Sequence, residues 1–331
     1  MKITYYIGAG ASFEALPLVE NFPNRMESFK TDFDSFFKVV PTALDREKLF
    51  AYKKEFIKDI EWVIKESDKH ASIDTFAKKL YLKKSYSDLQ RLKAVLEIFM
   101  IIEQIKNPTD SRYDLFYASI LNQRVTNFPK NIKIISWNYD HQFELSYSDF
   151  SGYKDIHSNQ HTLNIITKHA HGSNEIDEFL IIKLNGSLGI LERRGMRAKE
   201  ILKNVDTPLN IQFIFELLDI YNTIKSSQEF LPSLSYAWEQ DEGKVNNIIN
   251  KSKDATYDAE VLVIIGYSFP FFNRDVDRNI IGNMNFLKKV YIQDPYPDDI
   301  KDRFFSVRPD FKDENIKLIK NVKQFFLPDE L

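Results

Sequence analysis

Cysteine is absent from the 331 residues. That excludes disulfides, a thiol nucleophile and every cysteine-ligated zinc module. It agrees with a reducing compartment without requiring one. Glycine is scarce, at 10 residues, and proline stands at 12, so Pro/Gly-rich linkers are missing and two independent domains are not expected. No internal repeat is visible. An excess of either charge is missing too: 45 basic against 48 acidic side chains leave a net charge of -3. Nothing global draws the chain to nucleic acid or to a membrane surface. The longest apolar runs, around VLEIFMII and VLVIIGYSF, fall far short of the roughly 18 residues a spanning helix needs. Gly, Glu and Pro interrupt the first apolar run too early for a secretory leader, so a cytoplasmic protein is expected.

What remains is an apolar, aromatic chain, 43% hydrophobic, able to bury a sizeable core. Short β-branched runs bounded by turn residues read as buried strands over Ile3–Ile7, Ile132–Ser136, Phe179–Leu184, Glu260–Ile265 and Val290–Gln293. Between the first two, DREKLFAYKKEFIKDIEWVIKES and SDLQRLKAVLEIFMIIEQIK carry helical spacing, and SIDTFAKKLY offers Ser72 or Asp74 as a cap. PLNIQFIFELLDIYNTI reads as a further helix; SQEFLPSLSYAWEQ is ambiguous. The fold class is α/β: a Rossmann-like parallel sheet flanked by helices, with a large helical insertion after the first strand. We expect a single domain over 1–331 with that insertion at 24–125.

Half the glycines, Gly8, Gly10, Gly186, Gly189 and Gly266, follow apolar strands. Tight turns explain part of this. The other reading is a ligand's phosphates resting where parallel strands end, with a helix dipole beyond the first turn favouring their charge. In GAGASF the third glycine of a dehydrogenase fingerprint is missing, since position 13 is Phe, and no Lys-Ser or Lys-Thr marks a P-loop. Polar groups follow three further strands: Asn138 and Asp140 in WNYD, Asn185, Gly186 and Ser187 in KLNGS, Gly266 and Ser268 in GYSFP. Such groups converge on one edge of a parallel sheet, as a site requires.

In their order these motifs resemble the sirtuin-like NAD-binding domain, and LPLVENFP, SIDTF and GYSFP resemble its prokaryotic, defence-associated branch. The resemblance implies that Gly8, Ala9, Gly10, Ala11 and Ser12 cradle the NAD diphosphate. It implies that Asn138 orients a water or ribose at the glycosidic carbon, and that Asp140 contacts ribose or the nicotinamide side. Gly266 and Ser268 would hold phosphate or the adenosine ribose, Gly186 and Ser187 would join the binding loops, and Asp294 would lie near the adenosine. It further implies NAD hydrolysis to nicotinamide and ADP-ribose in antiviral defence, a homo-oligomer, and an ATPase or other trigger subunit as partner. The cysteine-free chain lacks the zinc module of the lysine deacylases, so that activity is the remoter implication.

One motif departs from the family. KLNGS has Asn185 where the family has its basic histidine. An amide cannot take a proton near neutral pH, which leaves open an inert sensor or scaffold that binds NAD or ADP-ribose without turnover. His171, in KHAHGSNE, is the substitute base the sequence offers, although His157, His161, His169 and His171 all lie in one polar stretch. His169 and His171 have no further ligands beside them, so no metal is expected. Trp137 and Tyr139 read as core, Arg193, Arg194 and Arg197 as a solvated basic loop, and Asp275 as a helix-start residue.

Overall fold

The five apolar runs form strands almost where the sequence puts them. In the computed structural model these are β1 (Ile3–Ile7), β2 (Ile132–Ser136), β4 (Leu180–Lys183), β8 (Val261–Ile265) and β9 (Lys289–Gln293). The structure describes residues 1–18, 21–70, 72–167, 176–193, 196–227, 229–236, 238–239 and 244–331. Two short edge strands, β3 (Ile165–Ile166) and β10 (Ile316–Ile319), complete a parallel sheet in the order β10-β9-β8-β1-β2-β4-β3.

Both faces of this sheet are apolar, and alternate residues of each strand go to opposite sides. Ile3, Tyr5 and Ile7 face α5 (Ser111–Ile120) and α6 (Gln142–Ser151), which bring Tyr113, Phe116, Phe143 and Tyr147. Tyr6, Ile135, Ile182, Ile264 and Ile292 face the opposite layer. That layer is α9 (Lys244–Thr256), α10 (Arg274–Ile281) and α11 (Pro297–Val307). Gly152 ends α6 at a left-handed φ of +74°; α7 (Ile156–Thr162) follows, with Asp155 as its cap. The parallel, doubly covered α/β sheet is the expected fold class.

The chain divides into two compact units. The sheet unit comprises Met1–Glu14, Thr109–Ser187 and Ser235–Leu331. The second comprises Ala15–Pro108 and Leu188–Leu234. Residues 111–120 thus pack on the sheet as α5, and a second stretch far along the chain joins the helices.

The second unit contains α1 (Phe22–Ser35), α2 (Arg46–Ser67), α3 (Ile73–Leu82), α4 (Tyr86–Lys106) and α8 (Ile211–Ser226). Ser72 caps α3, accepting from the Thr75 N–H at 3.1 Å. Phe29, Phe33, Phe56, Phe99 and Tyr221 pack ring on ring. Buried Asp59 of α2 accepts hydrogen bonds from Arg91 and Tyr221 and pairs with Lys225. A small antiparallel sheet, β6-β5-β7, comes from β5 (Ile190–Arg193), β6 (Met196–Glu200) and β7 (Phe230–Pro232). Part of the expected basic loop is therefore strand: Arg193 ends β5 and makes an exposed ion pair with Glu229 at 3.0 Å, as a solvated surface should.

Glu97 of α4 is fully buried and accepts the Gly189 N–H at 2.6 Å. Burial pushes its carboxyl up to about 8, with Glu192 adding to the rise and the Gly189 N–H opposing it. A carboxyl raised in the folded state binds its proton more tightly than in the unfolded chain, so stability falls as pH climbs from the unfolded value towards the folded one. Glu97→Gln keeps an acceptor for Gly189 and removes that loss. Between about pH 5 and about pH 9 the variant is expected to gain on wild type by up to a few kcal/mol in urea denaturation. Parallel stability curves for the two chains would refute this.

Candidate functional site

Strand register sets one row level across the sheet: Gln293, Ile265, Ile7, Ser136 and Lys183. Each is the last residue of its strand, so Asp294, Gly266, Gly8, Trp137 and Leu184 all leave from one edge. β1 lies between β2 and β8. The chain runs first to one side of it and later returns on the other, the reversal at which parallel sheets open a ligand crevice.

The Gly8–Ser12 turn occupies that point. No long helix follows it, contrary to the dipole expectation: Ala9–Ser12 is a single 3₁₀ turn, and the first α-helix starts at Phe22. Its glycines also have a reason of their own. The Gly8 N–H donates to the Ile265 carbonyl at 3.0 Å and the Gly10 N–H to the Gly266 carbonyl at 2.9 Å. A Cβ on Gly8 would fall 2.7 Å from the Gly266 oxygen, and one on Gly10 2.7 Å from the Gly266 Cα. Two turns thus pack backbone on backbone. Ala9 is exposed and Gly10 half-buried, whereas Gly8, Ala11 and Ser12 are buried.

Asn138 is half-buried, and its Nδ2 donates to the Gly8 carbonyl at 3.0 Å and to Ser12 Oγ at 3.2 Å. Its Oδ1 accepts no hydrogen bond among the described residues. Asp140 is buried and spent within the protein: Oδ2 accepts from Ser12 Oγ at 2.9 Å and Oδ1 from the Gln142 N–H at 3.1 Å. Burial raises its carboxyl, against the nearby charge of Lys183. Asn185 donates from Nδ2 to the Trp137 carbonyl at 2.9 Å, and its own carbonyl accepts from the Ser235 N–H at 3.0 Å. Gly186 takes a φ of +78°, and the hydroxyl of fully buried Ser187 has no hydrogen-bond partner among the described residues.

On the other side of β1, Gly266 has a φ of +56°. Ser268 is exposed, and its carbonyl accepts from Arg303 Nη1 at 2.9 Å. Half-buried Asp294 accepts the Tyr296 N–H at 2.9 Å, and burial, then Asp299, raises its carboxyl. Trp137 is core, as expected, while Tyr139 is half-buried. His169, His171 and Arg194 lie outside the described residues. Among those described, no group of three or more His, Asp or Glu side chains is placed to hold a metal ion, and no helix is long and apolar enough to cross a membrane.

No protein-family model matches the chain. No curated protein matches it either. A solved structure described as Sir2Tm bound to a propionylated peptide aligns with 97% of this chain and 88% of its own, at 9% identity and a TM-score of 0.36.

Several residues that build this edge were not singled out from sequence. Arg112, buried in the first turn of α5, donates from Nη2 to the Ala11 carbonyl at 2.9 Å and the Gly10 carbonyl at 3.2 Å. Asp110, the cap of that helix, holds its guanidinium at 2.5 Å. The Tyr113 hydroxyl meets Ser12 Oγ at 2.8 Å. Lys183 Nζ donates to the Asp140 carbonyl and to Glu144 Oε1, both at 2.6 Å. Locally Asp110 only caps a helix; nothing nearby in sequence ties Arg112 to a turn a hundred residues earlier.

Proposed function

We propose that the sheet unit is a sirtuin-like NAD-binding domain that hydrolyses the nicotinamide–ribose bond. The observation that carries the reading is Asn138: its amide nitrogen is pinned to the glycine turn at the sheet's reversal, and its oxygen has no hydrogen-bond partner among the described residues. That oxygen suits a water or a ribose hydroxyl beside the anomeric carbon. The reaction is NAD and water to nicotinamide, ADP-ribose and a proton. Bond breaking moves the pyridinium's positive charge onto the ribose, as in glycoside cleavage. Nicotinamide leaves as a neutral base, so no acid has to protonate it. Fixed dipoles steady the cationic sugar, and an oriented water completes the attack. Only that water's proton needs an acceptor, which lightens the demand on Asn185 and leaves His171 as the side chain to try. Asp140 serves by fixing Ser12.

Asn138→Ala is expected to lower turnover about a hundredfold in a nicotinamide-release assay, with far-UV circular dichroism unchanged. A variant hydrolysing NAD at the wild-type rate would sink the reading. The second reading, a sensor or scaffold, draws on Asn185 and on the occupied carboxylate of Asp140. NAD recovered intact after tight binding by calorimetry, with and without candidate ATPase subunits, favours it. Antiviral action and a homo-oligomer follow from the sequence resemblance, and light scattering of the pure chain tests the latter.

A further inference from the structure

A single buried carboxylate joins the central strand β1 to the turn that follows β8. Asp277 of α10 is fully buried. It accepts the Tyr6 hydroxyl at 2.6 Å and the Tyr267 hydroxyl at 3.0 Å, and Asn273 Nδ2 donates to that second hydroxyl at 3.2 Å. Tyr6 stands two residues before Gly8, and Tyr267 directly follows Gly266. The Tyr267 ring lies flat on Trp137, with centroids 5.3 Å apart and planes 4° from parallel. Trp137 in turn precedes Asn138 and gives its carbonyl to Asn185.

The segment beyond Tyr267 is strained. Phe269 has a φ of +49° and is buried, with its ring stacked on Tyr6 and edge-on to Tyr267. A left-handed side-chain-bearing residue is strained and persists only where packing over-determines it. A carboxylate buried without a cation is costly as well, and Asp277 makes no ion pair among the described residues. An apolar side chain would serve a core better. What Asp277 adds is a fixed point for two hydroxyls, one on β1 and one on the turn after β8.

We propose that Asp277 is a positioning residue for the strand-end site. Through Tyr6 and Tyr267 it holds the Gly8 turn, the Gly266 turn and the Trp137–Asn138 step in one arrangement. This rests on reading that edge as the NAD site. Burial pushes Asp277 up to about 7, the two tyrosine hydroxyls pulling it back. The titratable groups facing it are those phenols, Tyr6 from β1 and Tyr267 from its turn, both raised by burial and so neutral donors. Charged side chains of α10 and α11 are engaged elsewhere: Arg274 on Phe271, Arg278 on the Ser306 carbonyl, Lys301 on Asp313, Arg303 on the Ser268 carbonyl. Asp275, Asp298, Asp299 and Asp302 are exposed, and among the described residues no charged side chain of α9 bears on Asp277. Two hydroxyl donors suit the ionised carboxylate, so the brace tightens as pH rises through the neutral range. Global stability moves the other way, because the raised carboxyl costs more once ionised.

The test uses the full chain with Trp62→Phe and Trp238→Phe, which leaves Trp137 as its one tryptophan. Its emission is expected to change with a midpoint near the Asp277 value of about 7, and Asp277→Asn should abolish that step. Asp277→Ala should weaken NAD binding about tenfold or more in calorimetry with circular dichroism unchanged, and Asp277→Asn should restore most of it. Trp137 emission flat across pH, or Asp277→Ala binding like its parent, overturns the proposal. If the parent binds no NAD, the NAD reading falls and the brace stands or falls on the emission step. If Asp277→Ala does not fold, Tyr267→Phe takes its place: it keeps the ring stack, and it should remove the step.

Discussion

Lys183→Met is expected to destabilise the protein by about 3–5 kcal/mol at neutral pH. Lys183 ends β4, and only 1% of its side chain is exposed. Its ammonium bonds Glu144 Oε1 and the Asp140 carbonyl. Glu144, wholly buried on α6, also receives His141 Nδ1 at 2.9 Å and Gln160 Nε2 at 3.0 Å. Burial alone would raise the Glu144 carboxyl. The charge of Lys183, then His141, reverses that and holds it far below the usual carboxylate range. Methionine fills similar space and leaves a buried carboxylate without its cation.

The pH dependence separates this account from simple loss of packing. In wild type, a depressed Glu144 contributes stability that is present above the unfolded carboxyl value and is lost as pH falls through the folded one. In the variant, burial dominates, the carboxyl rises, and acid relieves the penalty. The gap between the two chains should therefore be widest above about pH 5 and close on acidification. Urea denaturation at several pH values measures it, and Lys183→Met with Glu144→Gln should recover part of the loss at neutral pH. A gap that stays constant with pH would refute the ionic account. The same lysine also braces the candidate site, because the Asp140 carbonyl it binds belongs to the residue that accepts from Ser12.

The sheet was legible because its strands are continuous β-branched runs cut off by Gly, Asn or Asp, a pattern that fully buried parallel strands impose. Helices α2 and α4 were legible from the helical spacing of their apolar residues. What escaped depends on distant partners. β3 is two residues long. β10 is a half-exposed edge, IKLI. β5 and β7 are separated by more than thirty residues and all of α8, and no local pattern joins them. The division into two units turns on contacts such as Tyr221 of α8 with Asp59 of α2. At the site, Asn138 and the glycines stood out because they follow strands. Arg112, Tyr113, Lys183 and Asp277 did not, because each looks locally like an ordinary helix or strand residue. Their work lies in pairing across the fold with the strand ends and the turns that follow them.

The glycine turns carry the sharpest remaining expectation. Gly266→Ala should cost roughly 3–5 kcal/mol and abolish NAD binding, whereas Gly152→Ala should cost only about 1 kcal/mol. Both positions have a positive φ, +56° and +74°, so both pay for a left-handed backbone. They differ in what a methyl group would meet. At Gly152 nothing lies within 4 Å. At Gly266 the new Cβ would stand 2.5 Å from the Gly10 Cα and carbonyl carbon and 2.6 Å from the Ala11 nitrogen. Those atoms belong to backbone that cannot retreat cheaply. The Gly10 N–H is bonded to the Gly266 carbonyl, and Arg112 donates to the Gly10 and Ala11 carbonyls. Any shift that relieves the clash must break this set and drag Ser12 and Asn138 with it. Thermal melts of the two variants beside NAD titrations decide the matter. Equal destabilisation would mean that the turns can part, and that the glycines of GAGAS are there for a ligand alone.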